Sequence, residues 1–266
     1  MRGMKNKKLK NILSIAGYFL LVIALCVSAS VVFHNVYYES VYISGSSMYP
    51  TLRGSNFLMS SYGVEYEEDG STTDYGIVDT HKAAINGIKR FSIVSTYFPD
   101  DYDENGVLKD KSNQKIKRVI ALPNETFKIV ESKLYVKKGE EFVYIPYTFS
   151  TEPSVDAEEP FDGKDIGETT LNNDEYWVLG DHRNSSRDSG RLYKDTGDVR
   201  KSAIKKSQLV GVLIAIEGQA KLKLVSCTCE RCKKDFKDQV VCPNCATKLV
   251  RKFDLVDKQA HWPKYY

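Results

Sequence analysis

The chain has 266 residues, of which 42% are hydrophobic and 27% are charged, a composition typical of a folded globular protein rather than a disordered one. Its net charge is +3, but the first ten residues carry five Lys or Arg and no acid, so the remainder has a net charge of −2. A nucleic-acid-binding protein carries its basic excess on the folded part, and this charge distribution therefore excludes nucleic acid as an expected partner.

The first predicted element is a transmembrane helix. Residues 11–33 contain no charged side chain and are rich in Leu, Ile, Val, Ala and Phe, and about 20 such residues span a bilayer as a helix. The alternative is a cleaved signal peptide, since Ser28-Ala29-Ser30 offers a small-x-small site, but the uncharged run continues to Phe33 and favours the anchor. Because the basic segment 1–10 precedes the helix, the positive-inside rule predicts a single-pass protein of the cell membrane, with a cytoplasmic N-terminus and an extracytoplasmic remainder.

Residues 44–52 follow, with the sequence Ser-Gly-Ser-Ser-Met-Tyr-Pro-Thr-Leu. Taken alone, three serines beside a glycine predict no more than a turn. Ser47 lies 14 residues after Phe33, so even a fully extended tether would carry it at most about 45–50 Å from the membrane. A catalytic serine at this position would work near the bilayer surface.

Runs of β-branched and aromatic residues bounded by Pro, Gly and Asp predict strands in the rest of the chain. The predicted strands are 57–59, 88–98, 115–122, 127–130, 134–136, 142–147, 176–179 and 209–216, with a polar loop at 65–74 and an acidic surface excursion at 152–170. Strands outnumber helix candidates and show no βαβ alternation, which favours a mainly β, antiparallel domain at 34–218. Residues 219–266 differ in composition and are predicted to form a separate basic, cysteine-rich tail.

A serine nucleophile needs a base, and histidine is the first candidate. The four histidines lie at the membrane exit, in a polar loop, beside an aspartate and near the C-terminus: His34, His81, His182 and His261. Asp181 and His182 are adjacent, and neighbouring residues of an extended segment point to opposite faces. A Ser-His-Asp triad is therefore poorly supported.

Lysine is the alternative base, when its amine is buried enough to be neutral at the working pH. Lys117 precedes the apolar residues 119–122, which would lower its pKa by desolvation. Spacing alone favours a simpler interpretation, in which Lys115 and Lys117 form one solvated face of a strand. A third stretch, residues 180–189 with the sequence Gly-Asp-His-Arg-Asn-Ser-Ser-Arg-Asp-Ser, likewise predicts only a hydrogen-bonded turn when taken alone.

Together and in this order, the three stretches resemble the conserved boxes of the type I signal peptidases, membrane-anchored Ser-Lys proteases. The resemblance implies that Ser47 is the nucleophile, that Lys117 is the general base and that Ser186 holds the lysine amine in place. It also implies four supporting residues, Arg118, Asp181, Arg183 and Asp188. The implied fold is a signal-peptidase-like antiparallel β domain.

The resemblance further implies the substrates, which would be translocated preproteins with small residues at positions −1 and −3 of the cut. Their signal peptides lie in the lipid bilayer, and the secretion translocon is a further candidate partner. The implied chemistry needs no cofactor.

The chain departs from the family pattern at several positions. His182 stands where Asn is usual, and Gly190 precedes Arg191 where the arginine would directly follow Asp-Ser, which predicts a looser ion-pair scaffold. Position 45 is Gly rather than a side-chain donor, so the backbone N–H of Ser47 is the one oxyanion donor that the sequence assigns.

The tail contains two cysteine pairs, Cys229-x-x-Cys232 and Cys242-x-x-Cys245, which resemble a zinc ribbon, with Cys227 as a spare or replacement ligand. Outside the membrane, the alternative is disulfide pairing. Because disulfides between such closely spaced cysteines would be strained, we predict a structural zinc site without a catalytic role.

A rival function comes from a different class: a non-catalytic, membrane-anchored assembly or binding protein of the same fold that uses its ribbon to bind a partner. The tail carries 11 Lys or Arg against 5 Asp or Glu, a net charge of +6 that would suit anionic headgroups or wall polymer. The presence of both Ser47 and Lys117 favours the protease.

Overall fold

The structure of the protein is a computed structural model that describes residues 2–54, 71–131, 133–146, 165–229, 231–236, 242–245 and 250–266. The strand predicted at 57–59 lies outside the described residues, as do most of the loop at 65–74 and most of the excursion at 152–170. The chain divides into two compact units, Met1–Glu39 and Ser40–Tyr266.

The first unit is dominated by one helix, α1 (Arg2–Tyr37), which contains the predicted helix at 11–33 and extends beyond it at both ends. Its part Ser14–Tyr37 is long and apolar enough to cross a membrane, judged by length and composition. Successive apolar side chains such as Phe19, Leu20 and Leu21 are all exposed, so this helix is apolar around its circumference rather than along one stripe.

The remaining elements are mostly strands. The described strands are β1 (Tyr38–Tyr42), β2 (Ser71–Asp79), β3 (Ile93–Thr96), β4 (Lys115–Ala121), β5 (Thr126–Val130), β6 (Lys133–Lys138), β7 (Glu141–Ile145), β8 (Ile166–Thr170), β9 (Glu175–Leu179), β10 (Ile204–Lys205), β11 (Leu209–Cys229), β12 (Lys234–Phe236) and β13 (Val250–Tyr265). Three short helices accompany them, α2 (Lys82–Asn86), α3 (Ser189–Thr196) and α4 (Val199–Ser202).

These strands form two sheets. The larger has the order β1-β2-β11-β3-β4-β9-β10, with β12 and β13 also paired to β11, and the smaller has the order β7-β6-β5-β8. The pairs whose register is described are antiparallel, which confirms the predicted mainly β, antiparallel fold. Strand β8 lies at the end of the predicted surface excursion, where Ile166 is buried and pairs with Ile129 of β5.

Strand β4 is central because both of its faces are buried. Ile120 packs with Phe127 and Trp177 between the two sheets, whereas Val119 packs with Val178 on the opposite side. The strand is buried from its third residue onward. This burial carries Lys117 and Arg118 into the interior, contrary to the interpretation of Lys117 as part of a solvated face.

Strand β11 is much longer than the predicted strand at 209–216. Apolar and polar residues keep alternating after Ile216. The pairing register shifts between Ile216 and Gly218, however, so the alternation changes phase there. In the sequence, this irregularity resembles the end of a strand. The predicted domain boundary at 218/219 therefore falls inside one continuous strand. Strand β13 returns along it as far as Ala215, which faces Tyr265.

Candidate active site

The segment that carries Ser47 is a turn anchored by apolar side chains. The N–H of Tyr49 donates to the carbonyl of Ser46 at 2.9 Å, and the N–H of Leu52 donates to that of Met48 at 2.9 Å. Met48 and Leu52 are fully buried, while Tyr49 is 45% exposed. The turn thus fixes its apolar residues in the core and leaves Ser47 beside an accessible surface.

Gly45 precedes the turn with a φ of 77°, a left-handed conformation that glycine adopts without steric cost. The serine-rich run is therefore a turn, as its composition alone predicts, and it is also the location of the predicted nucleophile.

Lys117 reaches Ser47 from strand β4. Its Nζ lies 2.7 Å from the Oγ of Ser47 and 2.9 Å from the carbonyl oxygen of Ile116, and its side chain is only 3% exposed. Two residues that are distant in sequence are thus within hydrogen-bond distance, in a position shielded from water.

The buried position changes the acidity of the amine. Desolvation by burial lowers the pKa of Lys117 from its usual 10.5 to about 8. The carboxylate of Asp188 acts against this, the charge of Lys115 lowers the pKa further, and Asp181 raises it. An amine with a pKa of about 8 is partly neutral near neutral pH, which is the condition for accepting a proton.

Arg118, the next residue, makes a buried ion pair with Asp181. Its Nε donates to one carboxylate oxygen at 2.9 Å and its Nη2 to the other at 2.6 Å, while Nη1 donates to the carbonyl of Phe91 at 2.9 Å. Arg118 is 3% exposed and Asp181 is not exposed at all. The pair joins strand β4 to the turn after β9, so it brings two of the three predicted boxes together.

Thr51 joins the segment that carries Ser47 to this ion pair. Its hydroxyl donates to Asp181 and accepts from the Nη2 of Arg118 at 3.3 Å. The sequence places Thr51 within residues 44–52 but gives it no role. Its fixed spacing from Ser47 was the available signal, but its partners lie too far along the chain for a local pattern to identify them.

The turn after β9 lies directly against the backbone of Ser47. The N–H of His182 donates to the carbonyl of Ser47 at 3.0 Å, and a Cβ at Gly180 would lie 2.4 Å from the same oxygen. Asp188 holds the turn from the other side, because its carboxylate accepts from the N–H of Gly180 at 2.8 Å and caps helix α3 through the N–H of Arg191. The departures from the family pattern at His182 and Gly190 therefore do not disrupt this turn, because the carboxylates of Asp181 and Asp188 both accept hydrogen bonds.

Ser186 differs from its expected placement. Its hydroxyl is buried without a hydrogen-bond partner among the described residues, and the Lys117 amine bonds instead to Ser47 and Ile116. The physical reason is its position beneath the turn, where the Oγ packs so closely on Gly180 that a Cβ there would be 2.3 Å away.

Arg183 begins a short 3₁₀ turn that ends at Ser185. The hydroxyl of Ser185 lies 3.2 Å from that of Ser46, a third link between residues 44–52 and 180–189 that the sequence did not indicate.

The four cysteines of the tail form a cluster. The Sγ atoms of Cys229, Cys232, Cys242 and Cys245 all lie within 4.8 Å of one another. The Sγ atoms of Cys229 and Cys245 are 3.5 Å apart, and those of Cys232 and Cys242 are 3.8 Å apart. Tetrahedral zinc with Zn–S bonds of about 2.3 Å places its sulfurs roughly 3.8 Å apart, whereas a disulfide bond is about 2.05 Å long. The donor set therefore fits a metal such as zinc.

Cys227, the possible additional ligand, pairs through its backbone with Phe236 on strand β12. Its side chain lies outside the described part of the chain.

Comparisons with known proteins agree on one family. The signal peptidase family, peptidase S26, matches residues 15–216. The chain is similar to signal peptidase I of Bacillus amyloliquefaciens, with 25% identity over 169 residues that cover 63% of this chain and 73% of the relative. It is also similar to signal peptidase I P of Bacillus subtilis subsp. natto, with 27% identity over 139 residues that cover 50% and 67% of the two chains.

Among solved structures, a signal peptidase I from Enterococcus faecalis V583 has 23% identity and a TM-score of 0.32, covering 47% of this chain and 96% of the other. The family match includes Ser47 and Lys117 and ends before the cysteine cluster.

Proposed function

Because the chain belongs to the signal peptidase family, peptidase S26, we propose that it removes signal peptides from translocated preproteins with a catalytic dyad of Ser47 and Lys117. The observation that carries this proposal is the 2.7 Å separation between the Lys117 Nζ and the Ser47 Oγ, at a lysine that is 3% exposed. Burial favours the neutral amine, which is the form of lysine that accepts a proton.

The proposed reaction begins when neutral Lys117 takes the proton of the Ser47 hydroxyl as Oγ attacks the scissile carbonyl carbon. The resulting ammonium returns its proton to the leaving amine of the mature protein, and the signal peptide remains as an ester on Ser47. Neutral Lys117 then removes a proton from water, which attacks the ester and releases the signal peptide. Each proton that the lysine accepts is returned, to the leaving amine in the first half and to Ser47 in the second.

The neighbours of the dyad would keep it aligned. The buried ion pair of Arg118 and Asp181 fixes strand β4 immediately beside Lys117, and Thr51 connects that pair to the segment of Ser47. We assign positioning roles to Arg118, Asp181 and Thr51. Arg183 and Asp188 serve the same turn, Asp188 by holding Gly180 and capping α3.

The proposed location is the outer face of the cell membrane. Five Lys or Arg in residues 1–10 precede the apolar helix, so the N-terminus would be cytoplasmic and the catalytic unit extracytoplasmic. Only nine residues, 38–46, lie between the end of α1 at Tyr37 and Ser47. A short tether would keep the nucleophile close to the membrane in which signal peptides lie.

We further propose that the metal of the cysteine cluster is Zn²⁺, held by the thiolates of Cys229, Cys232, Cys242 and Cys245. A closed four-thiolate zinc site is structural, since it leaves no coordination position for substrate, and it supplies folding free energy to a small domain. No step of the proposed proteolysis passes through it.

The decisive experiment incubates detergent-solubilised full-length protein with a preprotein and identifies the new N-terminus by mass spectrometry. Ser47→Ala and Lys117→Ala should each remove nearly all cleavage at the signal-peptide junction, leaving only the slow residual rate that binding alone supports. Ser207→Ala and Lys206→Ala are matched controls, because they remove an exposed serine and an exposed lysine of the same unit, and they should cleave normally.

Cleavage that persists in both Ser47→Ala and Lys117→Ala would rule out the dyad. Absence of cleavage by the unmodified protein, with folding intact, would instead favour the non-catalytic assembly protein.

A further inference from the structure

Strand β11 connects the cysteine cluster to the core beneath the nucleophile. Cys229 is the last residue of this strand, and Leu213 and Ile216 lie near its other end. Leu213 and Ile216 pack in one buried cluster with Met48 and Leu52, the residues that anchor the turn of Ser47. One continuous strand therefore carries a metal ligand at its tip and supports the nucleophile segment at its base.

Strand β13 runs back along β11 to the same place. Val250 faces Thr228 beside the cluster, and Tyr265 faces Ala215 at the base. The next residue, Tyr266, donates its N–H to the carbonyl of Ile214 at 3.1 Å, and its hydroxyl donates to the carbonyl of Thr51 at 3.4 Å. The end of the returning strand thus touches the residue that links the Ser47 segment to the ion pair of Arg118 and Asp181.

A second contact holds β13 near its middle. The Nζ of Lys258 lies 3.9 Å from the ring centroid of Tyr75, a cation–π contact to a tyrosine of β2 that is only 4% exposed. Strands β2 and β13 pair with opposite edges of β11 over residues 215–222, so this side chain reaches across β11. Strand β13 therefore contacts β2 near its middle, in addition to the contacts that Tyr266 makes at its end.

A metal bound to the four cysteines would hold the start of β13 close to the end of β11. Twenty residues, 230–249, separate the two strands, and Cys245 lies five positions before β13 begins. Four thiolates bound to one ion tie Cys245 to the end of β11, so that β13 starts beside its partner. Without the ion, the entropy lost on closing the whole connection of residues 230–249 opposes the pairing of β13 with β11.

We propose that metal binding at the four-cysteine cluster regulates the signal peptidase site, by fixing β13 on β11 and thereby holding the nucleophile segment through Tyr266 and Thr51. This inference rests on the proposed function for its consequence in catalysis, but its structural content is independent of cleavage. Loss of the metal by chelation loosens residues 43–54 and lowers the rate at Ser47.

The test is hydrogen–deuterium exchange of the full-length protein in detergent, loaded with Zn²⁺ and then treated with a chelator. Peptides covering residues 43–54 should exchange about threefold faster or more after chelation, along with those covering 250–266, because local opening becomes easier. Cys242→Ser should reproduce this exchange pattern without chelator and lose the bound metal. Cys26→Ser, which removes the cysteine of α1, should keep both metal and protection.

Tyr266→Ala separates this coupling from general destabilisation. It should retain its zinc, yet exchange at 43–54 as fast as the chelated protein, and chelation should then add little at these residues. Tyr266→Phe, which keeps the ring and loses the hydroxyl, should fall between the two.

Unchanged exchange at 43–54 after metal removal, or a protein that binds no zinc when loaded, would overturn the proposal. Should Cys242→Ser fail to fold, chelation of the unmodified protein and the Tyr266→Ala variant still decide. Because exchange is measured without substrate, the result stands whether or not the protein cleaves preproteins.

Discussion

The Nζ of Lys117 lies 2.7 Å from the Oγ of Ser47, across 70 positions of sequence. The contact depends on burial of the lysine in the central strand, where both neighbouring faces are filled by apolar side chains. The resulting pKa of about 8 has consequences for both rate and stability that can be measured.

The pH dependence of kcat/KM should report the ionisation of Lys117. Only the neutral amine accepts the proton of Ser47, so kcat/KM should rise with pH and level off above an apparent pKa of about 8. Asp188→Asn should move this limb to lower pH, since the Asp188 carboxylate raises the pKa of the lysine. The one amide oxygen of asparagine can still cap α3 through the N–H of Arg191, but the hydrogen bond from the N–H of Gly180 is then lost.

The matched control for Asp188→Asn is Asp195→Asn. Asp195 is a half-exposed carboxylate at the other end of helix α3, near Arg187 and Arg191. Its removal should leave the limb in place. Equal shifts of the apparent pKa in the two variants, or a shift to higher pH in Asp188→Asn, would contradict the conclusion that the Asp188 carboxylate raises the pKa of Lys117.

Lys117→Met should stabilise the inactive protein at neutral pH. The pKa of Lys117 is 10.5 in the unfolded chain and about 8 in the folded one, so below pH 8 the unfolded state binds the proton more strongly, which costs about 3 kcal/mol of stability. That cost disappears as pH rises from 8 towards 10.5. Thermal unfolding should therefore show a higher midpoint for Lys117→Met at pH 7 and a smaller difference at pH 10.

Lys206→Met, at an exposed lysine, provides the control for this stability measurement and should show no such pH dependence. A Lys117→Met protein that is less stable than the parent at pH 7 would mean that interactions in the folded state offset the desolvation cost of the Lys117 amine.

Asp181→Ala should be strongly destabilising. It leaves the guanidinium of Arg118 buried without its carboxylate, and breaking such a pair costs about 3–5 kcal/mol. Glu168→Ala removes the partner of Lys137 in a pair whose carboxylate is 53% exposed, and it should cost far less stability because solvent screens exposed charges. Chemical denaturation of both variants makes the comparison, and similar losses would contradict the role of burial.

Gly180→Ala should impair catalysis through the backbone of Ser47. The new Cβ would lie 2.4 Å from the Ser47 carbonyl, so the turn or the nucleophile segment must move, and a displacement of about 1 Å can reduce the rate roughly 100-fold. Gly167→Ala is the matched control, because no atom lies within 4 Å of its added Cβ. Equal rates in the two variants would show that the close approach at Gly180 is unimportant.

The sequence predicted the features that depend on local pattern. Alternation and turn residues identified most strands, and the resemblance of three short stretches, in order, to the boxes of the signal peptidases singled out Ser47 and Lys117. It also predicted a four-cysteine cluster, because the cysteines lie in two short motifs.

Features made by long-range contacts were not predictable in this way. Thr51 gains its role from Arg118 and Asp181, and Ser186 loses its expected partner because the turn packs it under Gly180. Strand β11 continues past an irregularity at Gly218 because β13 returns to pair with it, which a pattern limited to a few residues does not contain.

The most direct test of the central claim compares single-turnover cleavage of a preprotein by the unmodified protein, Ser47→Ala, Lys117→Ala and the double variant. Residues that act as one unit show strongly non-additive losses. The account predicts that the double variant is no slower than the more impaired single variant. Losses that multiply in the double variant, or a single variant that cleaves as fast as the unmodified protein, would contradict a dyad of Ser47 and Lys117.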